Sequence, residues 1–280
     1  MNLALCSIQK NRGPWLAEWV VFHVMVGVQK FYLYLHGCSD QMLLVATELT
    51  RHFDLEVVVI PGDVVAPQLK AYHHCYSTHG HKHDWLGFID GDEFLFSPAE
   101  MDLKEVLAQY RYGKLSALGV YWATFGSSHH EKEPSGLIIE NYTKRAHQQF
   151  EVNTHIKSVV MGRQGPHCLP VTSHHFKSIH GTYDTSGRLI EWGYTKNNPD
   201  YSQLRINHYV TQSLEYFTKT KSVAGKADVS PRSNRDMAWF DAHNRNEVDD
   251  DSMRPFSLKV KESLVNLGLF NKHPYVAPLA

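Results

Sequence analysis

Two aspartates separated by one glycine, Asp90 and Asp92, directly follow a short apolar run at 85–89. Hard divalent cations prefer oxygen ligands, and Mg²⁺ or Mn²⁺ is usually held by one or two carboxylates together with substrate phosphates. Gly91 lets a ligand approach the backbone closely because it has no side chain. A solvated acidic turn is the alternative interpretation. The apolar residues on both sides of the pair favour a site for Mn²⁺ or Mg²⁺ at the end of a buried strand.

The first hundred residues alternate between apolar runs and segments with helical spacing. The runs at 3–8, 31–35, 55–60 and 85–89 predict four strands. Such alternation is typical of an α/β fold in which helices cover both faces of a Rossmann-like, mostly parallel sheet. Ligands of these folds bind beyond the carboxyl ends of the strands. The segments expected to meet there are 9–12, 36–40, 61–63 and 90–93.

Length and composition limit the classes of protein that are possible. The chain has 280 residues, of which 42% are apolar and 20% are charged, so it can bury a large core in one or two domains. Its formal net charge is −1, which gives no general attraction to nucleic acid or to an anionic membrane. We therefore expect a partner to be recognised by a local site, and no nucleic acid partner.

No segment has the length and composition of a transmembrane helix. The longest apolar stretch, 19–28, is interrupted by His23 and falls well short of the roughly 20 residues that span a bilayer. The first strand is preceded by no basic region of the kind found in signal peptides. Four separated cysteines favour free thiols in a reducing compartment. The sequence therefore predicts a cytoplasmic protein, with cysteines Cys6, Cys38, Cys75 and Cys168.

Several segments resemble those of the DUF23-type glycosyltransferases, family 92, and of the similar bacterial glycosyl transferase family 2 branch. They occur in the expected order between about residues 3 and 225. The segments that carry the resemblance are 9–19, His23, 27–28, 31–34, 39–40, 85–95, 125–129, 157–160, 174–176 and 205–210.

This resemblance implies a GT-A fold and a metal-dependent enzyme that moves a hexose from a nucleotide-diphosphate sugar, with UDP as the expected nucleotide, to a glycan acceptor with inversion. It divides the chain into a GT-A domain, 1–228, and a C-terminal flap or tail, 229–280. Within the domain, 1–100 is the expected nucleotide-sugar half and 101–228 the acceptor half.

The resemblance also assigns residues to the nucleotide-sugar donor. Asp40 has an alternative role as a helix N-cap, and Lys70 has one as an ordinary exposed lysine. For Lys219 and Lys221 a solvated basic face is favoured over contact with the diphosphate. The residues expected to contact the donor are Gln9, Lys10, Asn11, Asp40, Asp63, Lys70 and Asp90.

The same resemblance implies which residues of this chain bind the metal. Asp92 is the first choice for direct ligation, and Asp90 is expected to reach the ribose or a metal-bound water as well as to belong to the metal site. GT-A enzymes usually add a histidine from the C-terminal half, and His208 is the matching residue here, with His175 in reserve. A core histidine bonded to backbone is the alternative for His208.

An inverting transfer also requires a general base beside the acceptor hydroxyl. Glu140 lies in a segment resembling the family's and is the first candidate, ahead of Glu131 and Glu191. Trp122 and Phe125 are candidates for stacking on a sugar ring, although aromatic residues at a strand end are also typical of a core.

The chain departs from the family pattern at three places. Arg12 stands where the family usually has Glu, 36–38 replaces an Asn-rich turn, and Gln212 stands where Lys is common. These departures leave open a carbohydrate-binding protein that has lost turnover. A phosphatase of the HAD type is a further alternative, because such enzymes also place Asp-x-Asp after an apolar strand, although that strand is their first.

Overall fold

The computed structural model describes residues 1–99, 102–111, 115–224 and 235–269. A π-helical turn, Phe217–Lys221, joins α6 to α7, and single 3₁₀ turns occur at Gly80–Lys82, Glu151–Thr154 and Gly165–His167. The helices are α1 (Gly13–Met25), α2 (Met42–Leu49), α3 (Pro67–His79), α4 (Leu103–Ala108), α5 (Ile138–Asn141), α6 (Leu214–Tyr216), α7 (Ser222–Ala224), α8 (Met237–His243) and α9 (Arg254–Asn266). The strands are β1 (Leu3–Gln9), β2 (Lys30–His36), β3 (Leu55–Ile60), β4 (Trp85–Phe88), β5 (Glu93–Phe96), β6 (Ala117–Thr124), β7 (Lys144–Arg145), β8 (Ile156–Met161), β9 (Leu169–Pro170), β10 (Phe176–Lys177), β11 (Thr182–Tyr183), β12 (Leu189–Ile190), β13 (Arg205–His208) and β14 (Val248–Asp249).

One large sheet organises the molecule. Its strands lie in the order β12, β11, β6, β8, β4, β1, β2, β3, and β13 links β6 to β5. The four strands predicted from the apolar runs, β1 to β4, are parallel neighbours in the order 3-2-1-4, whereas β8 runs antiparallel to β4 and β6. The predicted α/β class with a mostly parallel central sheet is therefore confirmed.

Alternate residues of β1 enter two different cores, because successive side chains of a strand point to opposite faces. Leu3 and Leu5 belong to the larger core, which also contains side chains of α1, α2 and α9. Ala4 and Cys6 belong to a smaller core with side chains of α3. Helices thus cover both faces of the sheet, as predicted.

The turn after β4 carries Asp90 and Asp92 and leads straight into β5. β5 pairs antiparallel with β13, and in this register His208 lies opposite Glu93. Strand pairing therefore brings His208 beside the two aspartates despite more than a hundred intervening residues. A Cβ on Gly91 would lie 2.4 Å from the end of the Gln9 side chain, so any larger residue here would displace Gln9 at the end of β1.

The predicted C-terminal flap or tail, 229–280, lies partly outside the described residues. Its described part, 235–269, forms α8, β14 and α9. α9 packs against α1, and Val260 and Leu264 on α9 are fully buried in the larger core. This part of the segment is thus packed on the domain. None of the described helices is long and apolar enough to cross a membrane.

His23 interrupts the apolar stretch of α1, and its imidazole is hydrogen-bonded to backbone groups on both sides. It is fully buried, its Nδ1 donates to the Trp19 carbonyl, and its Nε2 accepts the Leu95 N–H. Burial lowers the pKa of His23 to about 3. In the unfolded chain the pKa is near 6.5, so between these values the unfolded state binds the additional proton.

We therefore expect the free energy of unfolding to fall as the pH drops below about 6.5, by up to about 1.4 kcal/mol per pH unit for this histidine. Urea denaturation at pH 7.5 and 5.0 measures this loss. His23→Gln removes the titrating group and should show a smaller loss over the same interval. An equal loss in the variant and the parent would show that His23 does not contribute to acid sensitivity.

Candidate functional site

A cavity of about 420 Å³ opens at the carboxyl ends of β1 and β4. The Asp90–Asp92 turn forms its floor, and β13 and the end of β6 contribute to one wall. Residues of α6, of the π-helical turn and of α8 contribute to another wall. Residues that line it include Gln9, Lys10, Arg12, Gln68, Asp90, Asp92, Trp122, His155, His174, His208, Tyr216, Lys221, Arg235, Trp239 and His243.

Asp90 is held by three side chains. One carboxylate oxygen, Oδ1, accepts from Gln68 at 2.7 Å and from the Tyr72 hydroxyl at 3.3 Å. The other oxygen, Oδ2, accepts from the Lys157 ammonium at 2.8 Å. The side chain is still 31% exposed at the cavity floor. Asp90 is thus fixed in orientation while part of it faces a ligand.

Lys157 lies under this floor and is completely buried, as is Glu93. The Nζ atom of Lys157 lies 3.7 Å from Oε1 of Glu93, and this oxygen has no hydrogen-bond partner among the described residues. Burial raises the pKa of Glu93 well above its usual value, and the opposing charge of Lys157 only partly offsets this. Burial alone would lower the pKa of Lys157, but Asp90 and Glu93 outweigh it, so the ammonium stays charged.

Asp92 pairs with groups that lie far away in sequence. Its Oδ2 accepts from the Lys221 ammonium, and its Oδ1 lies 3.7 Å from His208 Nε2. Burial by itself would raise the pKa of Asp92, but Lys221, His208 and Arg12 hold it well below its usual range. Burial lowers the pKa of His208. At neutral pH the aspartate is therefore charged and the imidazole is neutral, which are the forms that bind metal ions.

The Arg12 side chain connects the end of β1 to the cavity wall that contains α6. Its guanidinium donates to the Gly91 carbonyl at 3.1 Å, to the Tyr216 hydroxyl at 2.8 Å and to the Gln212 side chain. It is 5% exposed and stacks over Trp15 at 4.7 Å. This side chain therefore holds the Asp90–Asp92 turn and the α6 segment together.

The structure brings some of the predicted donor residues to the cavity. Gln9 and Lys10 line it together with Asp90. Asn11 and Asp40 line a smaller neighbouring cavity of about 400 Å³, which shares Lys10 with the first. Asn11 Oδ1 accepts the Ser39 N–H at 2.8 Å, so this amide ties together the loops after β1 and β2.

Asp40 precedes Gln41, the N-cap residue of α2, and binds the first backbone N–H groups of two helices. Its carboxylate accepts the N–H of Gly13, the first residue of α1, at 2.9 Å and that of Met42, the first residue of α2, at 3.0 Å. Both helix N-termini thus receive a negative charge, which favours them electrostatically.

Other predicted residues lie elsewhere. Asp63 and Lys70 are exposed and do not line the main cavity. Glu140 lies on α5, is 39% exposed and forms an ion pair with Lys261 of α9 at 2.6 Å. α5 is anchored away from the cavity, because Ile138 and Ile139 donate their N–H groups to the buried Glu18 carboxylate. The reserve candidates Glu131, Glu191 and His175 also do not line the main cavity.

The sequence matches one known family and several of its members. The family model for glycosyltransferase family 92 matches residues 3–253. This chain belongs to glycosyltransferase family 92. A family 92 protein of Ricinus communis is 27% identical over 219 residues, which is 77% of this chain and 36% of the relative. One of Oryza sativa is 25% identical over 218 residues, with 77% and 34% covered. The chain thus spans about a third of the length of these relatives.

The match confirms the predicted family. Solved structures with some similarity include Staphylococcus aureus TarS 1–349 in complex with UDP, at 12% identity and a TM-score of 0.39, covering 57% of this chain and 47% of that one. Another is glucosyl-3-phosphoglycerate synthase of Mycobacterium tuberculosis in complex with Mn²⁺, UDP and glucosyl-3-phosphoglycerate, at 12% identity and a TM-score of 0.31, covering 43% and 44%.

Two departures from the family 92 pattern, Arg12 and Gln212, contact each other directly. Both belong to the same link between β1 and the C-terminal wall. The two residues thus form one hydrogen-bonded pair.

Proposed function

We propose that the chain transfers a hexose from a UDP-sugar to a glycan hydroxyl with inversion, using Mn²⁺ or Mg²⁺. The observation that carries this proposal is the pairing of Asp92 with His208 at the end of a buried strand, inside a cavity lined by several cations. Family membership supports glycosyl transfer as the reaction.

The residues present fit a divalent cation. Asp92 and His208 offer one carboxylate oxygen and one neutral imidazole nitrogen, and Asp90 offers the exposed part of its carboxylate. Within the described ranges, no three His, Cys, Asp or Glu side chains are grouped closely enough to hold a metal by themselves. Diphosphate oxygens and water would therefore complete the coordination, as is usual for Mg²⁺ and Mn²⁺ sites. Held by Asp92 and His208, such a cation would supply Lewis-acid neutralisation of the departing diphosphate.

Among the described residues, four cations line this cavity and would stabilise the diphosphate of the donor. Two of them lie in the loop between β1 and α1, one in the π-helical turn and one just before α8. These residues are Lys10, Arg12, Lys221 and Arg235.

Inversion is favoured by the state of the carboxylates. The carboxylates in the described lining of the cavity belong to Asp90 and Asp92. Each of them already accepts a hydrogen bond from a lysine ammonium. Both are also proposed to bind the metal, so neither is the expected nucleophile, which favours a single displacement. In that step the acceptor oxygen bonds to the anomeric carbon, the diphosphate leaves with the bonding electrons, and the hydroxyl proton passes to a base.

The contact between Lys221 and Asp92 favours a second candidate function. A lysine that permanently takes the place of the metal would leave a protein that binds nucleotide sugar without turnover. The two candidates differ in whether nucleotide binding requires Mn²⁺.

Thermal unfolding with UDP, GDP and CMP, each with Mn²⁺ or with EDTA, tests both candidates. We expect UDP with Mn²⁺ to stabilise the protein most, since a ligand at 100 times its Kd adds about 2.7 kcal/mol to the free energy of unfolding. His208→Ala should weaken Mn²⁺-dependent UDP binding, whereas His175→Ala should leave it unchanged. Equal stabilisation by UDP in EDTA would contradict the metal site and support the second candidate.

A further inference from the structure

A row of aromatic rings leads from solvent to the proposed metal ligands. The ring of Trp122 contacts that of His208 at a centroid distance of 4.2 Å and the edge of His174 at 5.0 Å. His155 stacks on Trp122 at 5.2 Å with an interplanar angle of 17°. His155 in turn contacts Tyr194 at 5.7 Å, and a backbone bridge joins these two residues. Tyr194 is 55% exposed. We call Tyr194, His155 and Trp122 the aromatic row.

Three histidines that line the cavity share one hydrogen-bonding arrangement. In His155, His174 and His243 the Nδ1 atom bonds to a backbone carbonyl, at 3.0, 3.0 and 2.8 Å. A carbonyl only accepts, so Nδ1 carries the hydrogen and Nε2 keeps its lone pair. Among the residues that the structure describes, none donates to these Nε2 atoms. Burial lowers the pKa of all three imidazoles, so they stay neutral at pH 7.

Acceptor nitrogens beside aromatic rings match one class of ligand. A sugar ring has an apolar C–H face, which packs on aromatic rings, and hydroxyl groups at its edge, which donate to imidazole nitrogen. A carboxylate or sulfate has no proton to donate to these nitrogens. The cations that suit a diphosphate, Lys221 and Arg12, contact the Asp90–Asp92 turn and not the aromatic row.

We propose that the aromatic row binds a neutral carbohydrate acceptor, whose reactive end lies beside Trp122 and whose further sugar unit packs on Tyr194. This inference rests on the proposed function and gives the acceptor its place and chemical class. Since the row ends at His208, next to Asp92, it places the acceptor beside the site proposed for the donor.

Arrays of immobilised glycans, probed with labelled protein in the presence of UDP and Mn²⁺, test the proposal. Dense immobilisation raises weak affinities to measurable ones through avidity. We expect binding to neutral glycans but not to glycans recognised only through sialic acid or sulfate. Tyr194→Ser should weaken this binding about three- to tenfold, the range expected for the loss of one ring contact.

Two matched variants serve as controls. Tyr194→Phe keeps the ring and should bind as the parent does. Trp192→Ser removes an exposed aromatic ring that packs on His175 and not on the aromatic row, and it should also bind normally. Circular dichroism confirms that each variant is folded.

Absence of any glycan binding, binding only to acidic glycans, or equal losses in Tyr194→Ser and Trp192→Ser would overturn the proposal. Thermal stabilisation by UDP with Mn²⁺, measured on the same samples, separates the two hypotheses. If UDP binds and glycans do not, the acceptor assignment fails alone. If glycans bind and UDP does not, the proposed donor function fails while the carbohydrate site stands.

Discussion

Asp92→Asn is expected to lower Mn²⁺-dependent UDP affinity and transfer by more than about 100-fold. The substitution keeps the size of the side chain but removes the charge that Asp92 presents to His208 and Lys221. Loss of an outer partner of a metal ligand alone typically costs about 10- to 100-fold in affinity, so loss of a ligand should cost more. Calorimetric titration of Mn²⁺ in the presence of UDP measures the effect.

Stability should change as well, because Asp92 is paired and mostly buried and is not a free loop carboxylate. Removing its charge leaves the Lys221 ammonium without its partner in a buried position, which should cost about 1–3 kcal/mol. Asp241→Asn makes the same chemical change at an exposed position on α8 and should leave both properties unaltered. Parental Mn²⁺ affinity in Asp92→Asn would show that the metal binds elsewhere.

The parts of the site that follow a strand could be predicted from sequence. Asp90 and Asp92 come directly after an apolar run, and the carboxyl end of a buried parallel strand is where ligands bind. His208 could be assigned only through the family resemblance, because the pairing of β13 with β5 is what brings it to the turn. No local pattern carries the register of two strands so far apart in sequence.

Lys221 shows why charge patterns alone mislead. Its neighbourhood has the composition of a solvated basic face, yet a π-helical turn precedes α7 and Lys221 reaches Asp92. A π turn shifts the direction of the side chains that follow it, and the helical period of the sequence does not reveal this shift. The sequence around Glu140 likewise does not reveal that Glu18, more than a hundred residues earlier, accepts backbone N–H groups of α5.

Lys157 is a residue of the site that the sequence alone could have indicated. A single lysine within the apolar segment of β8 is unusual, since lysine is almost never fully buried without a partner. That position alone predicts a buried carboxylate nearby, although it does not say which one. The structure supplies two, Asp90 and Glu93.

Lys157→Met is expected to be the most destabilising single change among those considered, at about 3–5 kcal/mol. It leaves two carboxylates, one of them completely buried, without the charge that compensates them, and removal of one partner from a buried pair typically has this cost. Urea denaturation at pH 8 measures the loss. Lys177→Met, at an exposed position of β10, should stay within about 0.5 kcal/mol of the parent.

The pH dependence of this loss tests its cause. Burial already raises the pKa of Glu93, and removing the opposing lysine charge should raise it further. The folded variant then binds a proton that the unfolded chain binds only at lower pH. Its deficit in free energy of unfolding relative to the parent should therefore shrink as the pH falls from 8 to 6. Adding Glu93→Gln to Lys157→Met removes the uncompensated charge and should recover part of the stability at pH 8. A deficit that is independent of pH, with no recovery in the double variant, would mean that Lys157 acts through packing of its chain and not through its charge.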